Sequence, residues 1–188
     1  MVPHFVVLTG ASGSGKTTIA HCVQQHHSAT HEVVFFDSAG VPPTEQMVSE
    51  HGSGESWQRA TTMAWMTKIR GLLAAGRPVL FEGQMRIAFI LDALAEAGIT
   101  GAQVILADCS DNVRHARLRT DRNQPELANP TMLSWARYLR EEAWNAGFEI
   151  LDTGRFPLAE CVDYVRQRLG IRDQFPIEGS LPPINETT

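Results

Sequence analysis

The sequence predicts an α/β fold, a three-layer sandwich in which helices cover both faces of a five-stranded parallel sheet. Three observations predict it. Short runs of Val, Ile, Leu and Phe alternate with longer amphipathic segments, as in right-handed strand–helix–strand units. These apolar runs are almost continuous, which is typical of strands that are buried on both faces. The length of 188 residues suits one domain with a substantial core, and no repeat or long linker divides the chain.

Five strands are predicted from apolar runs whose shortness and flanking turn residues separate them from buried helices. They cover residues 4–9, 32–36, 78–81, 102–107 and 148–151. Helices are predicted where apolar residues recur with a helical period and a glycine ends the pattern. One begins after residue 17 and stops near residue 28, one follows Ser110, and the others cover residues 55–75, 84–97, 130–146 and 157–169. Residues 1–170 therefore form one domain, and residues 171–188 are expected to be an extended or disordered tail.

The composition excludes several classes of protein. A net charge of −5 and a pI near 5.8 disfavour a general binder of nucleic acid or membrane surfaces, and no apolar run approaches the length of a membrane span. The three cysteines are far apart, as in a cytoplasmic protein with reduced thiols. Of the cationic residues, fourteen are Arg and only Lys16 and Lys68 are Lys. Whether the chain forms a homodimer is left open.

The most specific motif is a glycine-rich loop between the first predicted strand and the helix that follows it. Residues 10–17, GASGSGKT, fit the pattern G-x-x-x-x-G-K-[ST]. Its glycines let the backbone curl around a phosphate, and the loop amides and helix N-terminus attract the anion. Lys16 can bridge the β- and γ-phosphates, and the Thr17 hydroxyl can bind Mg²⁺. We therefore expect ATP or GTP, with Mg²⁺, to bind to Gly10, Ser12, Gly13, Ser14, Gly15, Lys16, Thr17 and Thr18.

The order of these elements resembles that of the P-loop small-molecule kinases. The phosphate loop stands near the beginning of a small α/β domain, an Arg-rich segment follows the fourth strand, and the fifth strand is short. Gluconate kinase, shikimate kinase and chloramphenicol phosphotransferase are the nearest types, and the likeness covers roughly residues 4–170. It implies a P-loop NTPase fold of the nucleotide-kinase type and phosphoryl transfer from ATP to a hydroxyl group of a small-molecule metabolite or antibiotic. The alternatives are a nucleoside or polynucleotide 5′-hydroxyl kinase and a nucleotide-binding regulatory NTPase.

Three polar residues follow predicted strands at the carboxyl edge of the sheet, where ligands bind in open parallel sheets. Asp37 follows the second strand, and the resemblance implies that it is either the base for the acceptor hydroxyl or a ligand of Mg²⁺. A helix cap or turn is the alternative role for this residue. Glu82 and Arg86 follow the third strand and are expected to bind the acceptor, with Glu82 also a candidate for Mg²⁺. Their alternative roles are a helix-capping acid and a surface charge.

The Arg-rich segment contains Arg114, Arg117, Arg119 and Arg122. In the kinases that the chain resembles, this segment is a mobile lid that closes over the transferring phosphoryl group, here expected over about residues 117–130. Arg117 and Arg122 are expected to neutralise charge on that group and are therefore catalytic candidates beside Lys16 and Asp37. Arg114 and Arg119 are alternatively a solvated helix face paired with Asp111 and Asp121.

Two further segments complete the expected site. The resemblance implies that Thr153 and Arg155, after the fifth strand, read and stack on the adenine ring, although an ordinary strand–helix loop with a capping Thr is an equal alternative. Residues 38–56 are expected to form an irregular insertion that covers the acceptor.

Overall fold

Five strands and seven α-helices form the part of the chain that the computed structural model describes, residues 4–172. The strands are β1 (Phe5–Thr9), β2 (Glu32–Phe35), β3 (Val79–Gly83), β4 (Gln103–Asp108) and β5 (Glu149–Asp152). The helices are α1 (Lys16–His27), α2 (Thr44–His51), α3 (Gly54–Ala74), α4 (Ile87–Ala97), α5 (Asp111–Arg119), α6 (Pro130–Asn145) and α7 (Leu158–Arg168). Short 3₁₀ turns cover Phe36–Ala39 and Pro125–Leu127.

All five strands are parallel, and their order across the sheet is β2-β3-β1-β4-β5. Side chains of the central strand β1 alternate between two cores, as the pleat requires. Val6 and Leu8 pack with α1 and α7, whereas Phe5 and Val7 pack with α3 and α4. Helices therefore cover both faces, and the predicted three-layer α/β sandwich is confirmed. No helix within residues 4–172 combines the length and the apolarity needed to span a bilayer.

The third strand extends further than its apolar run. It continues through Glu82 and Gly83, and α4 begins only at Ile87 instead of the predicted residue 84. Residues 84–86 are held outside the helix because the Thr9 hydroxyl donates to the Met85 carbonyl and accepts from the Met85 amide, at 2.8 and 3.1 Å. This keeps the end of β3 beside the phosphate loop.

Two boundaries differ from the expectation. The insertion at residues 38–56 is not irregular, because Thr44–His51 forms helix α2. That helix has no buried residue, and its Met47 side chain, near Gly54 of α3, is only half-buried. A helix without a buried face needs no apolar stripe, so the sequence of α2 does not show one. At the other end of the chain, Ile171 is buried in the core that α1 and α7 share. The rest of the predicted tail, residues 173–188, lies outside the described residues.

Candidate functional site

The loop of residues 10–15 connects β1 to α1 at the carboxyl edge of the sheet. Gly13 and Gly15 have φ angles of +77° and +83°, in the left-handed region that favours glycine. Helix α1 begins at Lys16 with no side-chain cap and no acidic residue in its first turn. The Ser14 hydroxyl is buried and has no hydrogen-bond partner within residues 4–172. An uncapped helix N-terminus and a buried hydroxyl without a partner fit the binding of an anion such as a nucleotide phosphate.

Three of the predicted site residues meet at the beginning of α1. One carboxylate oxygen of Glu82 accepts from the Thr17 hydroxyl at 3.0 Å and lies 3.5 Å from the Lys16 ammonium nitrogen. The Lys16 and Glu82 side chains are only 8% and 6% exposed, so the ion pair is almost removed from solvent. Glu82 is therefore not a helix-capping acid, because it lies within β3 and faces the phosphate loop.

The Lys16 ammonium is in an unusual electrostatic environment. Burial lowers the pKa of Lys16 below its ordinary value, and Glu82 opposes this shift by its charge and hydrogen bond. Arg122 also lowers the Lys16 pKa, whereas Asp37 raises it, so both charges lie close enough to act on the ammonium. Lys16 and Glu82 are thus in direct contact, whereas Asp37 and Arg122 act on the Lys16 ammonium through their charges.

The predicted site residues include oxygen donors that suit Mg²⁺. The Thr17 hydroxyl and the carboxylates of Glu82 and Asp37 are ligands of the type that Mg²⁺ prefers. Across residues 4–172, no group of three or more His, Cys, Asp or Glu side chains is arranged to hold a metal ion. Mg²⁺ would therefore have to enter with phosphate oxygens that complete its coordination, which is the usual arrangement for a metal–nucleotide complex.

A cavity of about 1150 Å³ extends from the phosphate loop along α1 to the loop after β5. The predicted residues that line it are Gly13, Gly15, Lys16, Thr17, Thr18, Arg117, Arg122, Thr153 and Arg155. Gly10, Ser12, Ser14, Asp37, Glu82 and Arg86 are not among its lining residues. Phe156, Pro157 and Leu158 give the far end an apolar wall, where a nucleotide base would find a hydrophobic surface.

The structure separates the four arginines of the Arg-rich segment. Arg114 is completely buried, so the expected solvated face does not include it. Arg119 and Arg122 are exposed, and Asp111 pairs with Arg137 at 3.2 Å rather than with a residue of α5.

Arg117 lies between the phosphate loop and the loop after β5. Its guanidinium donates to the Thr153 hydroxyl and carbonyl at 2.9 and 2.7 Å. The Thr153 hydroxyl in turn donates to the Ser14 carbonyl at 2.7 Å. The Thr153 side chain therefore stabilises the phosphate loop, a role that the sequence did not indicate.

Arg86 lies outside the cavity and already has partners. Its guanidinium donates to Tyr138 at 3.2 Å and pairs with Glu55 at 3.1 Å, and it lies 5.3 Å from the centre of the Trp135 ring. Its backbone N–H donates to Gln58 of α3. An anionic acceptor would therefore have to replace the exposed carboxylate of Glu55 in order to bind Arg86.

Sequence reasoning missed Asp108, the last residue of β4. Its carboxylate is buried and binds two arginines, Arg114 and Arg140, with contacts of 2.5 Å on either oxygen. The same signal that pointed to Asp37 and Glu82, an acidic residue where a predicted parallel strand ends, also applies to Asp108.

Comparison with solved structures identifies the fold. A sugar kinase from Janibacter sp. HTCC2649 matches with a TM-score of 0.67 and 20% identity, over 90% of this chain and 95% of that one. The tunicamycin resistance protein from Deinococcus radiodurans matches with a TM-score of 0.61 and 17% identity, over 90% and 97%. The shikimate kinase from Acinetobacter baumannii, solved with shikimate, matches with a TM-score of 0.59 and 16% identity, over 88% and 92%. No protein-family model and no curated protein sequence matches the chain. The chain therefore has the P-loop NTPase fold in the form seen in small-molecule kinases.

Proposed function

We propose that the protein is an ATP- and Mg²⁺-dependent kinase that phosphorylates a hydroxyl group of a small molecule. One observation carries this proposal: the Lys16 ammonium, the Thr17 hydroxyl and the buried Glu82 carboxylate meet at the phosphate loop, and the charge of Asp37 acts on the same ammonium. Nucleotide binding alone does not require a second carboxylate whose charge acts on the phosphate-loop lysine. The similar solved structures include a sugar kinase, a gluconokinase and shikimate kinases, and their names support the same chemistry.

The phosphate loop would hold the triphosphate. The backbone N–H groups at the start of α1 and the Lys16 ammonium attract the β- and γ-phosphates, and Glu82 opposes the lowering of the Lys16 pKa by burial. Mg²⁺, when bound beside Thr17, would reduce the negative charge on the phosphate oxygens. Thr153 and Arg155 line the cavity beside the apolar wall at the base end.

Asp37 is the residue best placed to act on the acceptor. It lies in the 3₁₀ turn after β2, where its side chain is exposed, and its charge acts on Lys16. An exposed carboxylate at the carboxyl edge of the sheet can accept the proton of an acceptor hydroxyl or hold Mg²⁺. Glu82 is then occupied by Thr17 and Lys16, which favours a role in ordering the metal-binding hydroxyl over contact with the acceptor.

The lid would supply the remaining positive charge. Arg122 lies on the cavity wall and acts electrostatically on Lys16, so it can face the transferring phosphoryl group. Arg117 lines the same cavity but donates to Thr153, and its release from that residue would be needed for direct contact with phosphate.

The test is an acceptor screen with labelled ATP. The protein is incubated with ATP, Mg²⁺ and pooled metabolites and antibiotics, and acceptor-dependent transfer of the label is measured for the wild type and Asp37→Asn. The matched control is Asp92→Asn, which removes a half-exposed carboxylate on α4, away from the phosphate loop. We expect transfer to an alcohol that Asp37→Asn abolishes and Asp92→Asn preserves.

Two outcomes would replace the proposal. ATP hydrolysis that no acceptor and no Asp37 substitution changes would indicate a regulatory NTPase. Transfer confined to nucleosides or to polynucleotide 5′-hydroxyl groups would indicate the other class of kinase.

A further inference from the structure

Three consecutive carbonyl groups of the phosphate loop accept hydrogen bonds from side chains outside the loop. The Ser12 carbonyl accepts from the Arg114 guanidinium at 2.8 Å, and the Ser14 carbonyl accepts from Thr153 at 2.7 Å. Between them, the Gly13 carbonyl accepts longer bonds from Arg117 and the Cys109 thiol. Because the C=O and N–H of a trans peptide point in opposite directions, a bond to each carbonyl also fixes the direction of the next N–H.

Arg114 is the most constrained of these donors. Its guanidinium is completely buried and donates to the Asp108 carboxylate at 2.5 Å as well as to Ser12. Its aliphatic stem packs against the loop, since a Cβ placed on Gly13 would lie 3.1 Å from the Arg114 Cγ. Asp108 thus orients a charged donor whose other arm reaches the backbone of the phosphate loop.

The charge of Asp108 does not require Arg114 for its compensation. Arg140 of α6 donates to the second Asp108 oxygen at 2.5 Å and is itself half-exposed. If a neutral residue replaced Arg114, the buried Asp108 carboxylate would still be paired with Arg140. The contact that only Arg114 supplies is the one with the Ser12 carbonyl.

We propose that Arg114 is a positioning residue for phosphate binding. It fixes the peptide between Ser12 and Gly13 so that the Gly13 N–H faces the cavity that Gly13 lines, and it does so without touching the nucleotide. Preorganised donors of this kind bind an anion without a rearrangement of the backbone when the anion arrives. This inference rests on the proposed function, because it assumes that a nucleotide phosphate occupies the loop.

The experiment measures how strongly the protein discriminates between nucleotides by their phosphates. Dissociation constants for ADP and, by competition at millimolar concentrations, for AMP are determined for the wild type and Arg114→Met. Met preserves the stem against Gly13 and leaves Asp108 paired with Arg140. Because AMP lacks the β-phosphate that the loop holds, the ratio of the AMP constant to the ADP constant reports on the loop alone. We expect this ratio to fall by about tenfold in Arg114→Met, the effect of losing a hydrogen bond to a charged group.

The matched control is Arg119→Met, which removes an exposed Arg from the same helix and should leave the ratio unchanged. An unchanged ADP constant in Arg114→Met, an equal weakening of AMP and ADP, or the same fall in Arg119→Met would overturn the inference. If Arg114→Met does not fold, Arg114→Lys replaces it, because its shorter side chain ends in one nitrogen instead of the two that donate to Asp108 and Ser12, and the ratio should again fall. Wild-type protein that binds no ADP would instead refute the proposed function, and this inference with it.

Discussion

Substitution of Glu82 by Gln tests the ion pair beneath the phosphate loop. The amide preserves the shape of the side chain and an oxygen that accepts from Thr17, but it removes the charge that faces Lys16. At the observed 3.5 Å, the Coulomb attraction is about 5 kcal/mol for an effective dielectric constant of about 20. Part of this attraction only compensates for the burial of the two charges, and removal of one partner of a buried pair typically costs about 3–5 kcal/mol.

We therefore expect Glu82→Gln to lower the free energy of unfolding by about 3 kcal/mol at neutral pH, with a melting temperature about 6–12 °C lower. Without Glu82, the Lys16 pKa should fall further, because the main influence that raises it is lost. A lysine whose folded pKa lies below its unfolded pKa makes the folded state bind fewer protons. The deficit in stability should therefore shrink as the pH rises towards the unfolded pKa of lysine.

The assay is thermal unfolding followed by circular dichroism, with and without ADP in the absence of a divalent metal. ADP should raise the melting temperature of Glu82→Gln by more than that of the wild type. Its phosphates would replace the negative charge of Glu82 that faces Lys16 in the wild type. The control is Glu141→Gln, at an exposed position on α6. A Glu82→Gln variant that melts within about 2 °C of the wild type would show that the ion pair does not stabilise the fold. A smaller ADP shift in the variant would contradict the expectation that phosphate replaces Glu82 as the partner of Lys16.

Three further predictions concern the loop, the sheet edge and the thiols. Gly13→Ala should lower the free energy of unfolding by about 1–2 kcal/mol in urea titrations, because its φ of +77° is strained for alanine; an unchanged midpoint would contradict this. Hydrogen bonds from Arg168 lower the pKa of Glu149, so Glu149→Gln should reduce stability above the ordinary pKa of Glu, and the difference should vanish as the pH falls through the lowered pKa; a constant difference would refute it. Burial raises the pKa of all three thiols, so a disulfide reagent should react slowly with the folded protein and rapidly in denaturant; fast labelling of the folded protein would refute this for Cys22, Cys109 and Cys161.

The sheet was predictable because its strands are buried on both faces. The first and last residues of each predicted strand lie within two residues of those observed. The helices between the strands carry the apolar stripes that the core requires. Helix α2 was not predictable in this way, since it buries no residue. The start of α4 was wrong for a different reason: the contacts of Thr9 with Met85 are long-range and leave no local pattern.

The candidate site was predictable where residue type and strand order determine position. The phosphate loop, Asp37 and Glu82 all lie at the carboxyl edge, as parallel strands dictate. Which atoms Glu82 would contact depends on the register of β3 beside β1, where Glu82 lies opposite Leu8, and the sequence does not specify that register. The burial of Arg114 has a local signal in the sequence. Arg114 and Leu118 are four residues apart and therefore share one face of α5, which is the buried face.

The scarcity of lysine gives the protein a built-in chemical reporter. Side-chain amines are present only at Lys16, beneath the phosphate loop, and at Lys68, which is exposed and lies 4.6 Å from the centre of the Trp65 ring. Among the lysine side chains, an acylating reagent therefore has one target that a bound triphosphate would shield and one that it would not. The ratio of the acylated Lys16 peptide to the acylated Lys68 peptide in a mass spectrum would measure the occupancy of the phosphate site, with Lys68 as the internal standard. This measurement does not require the acceptor to be known.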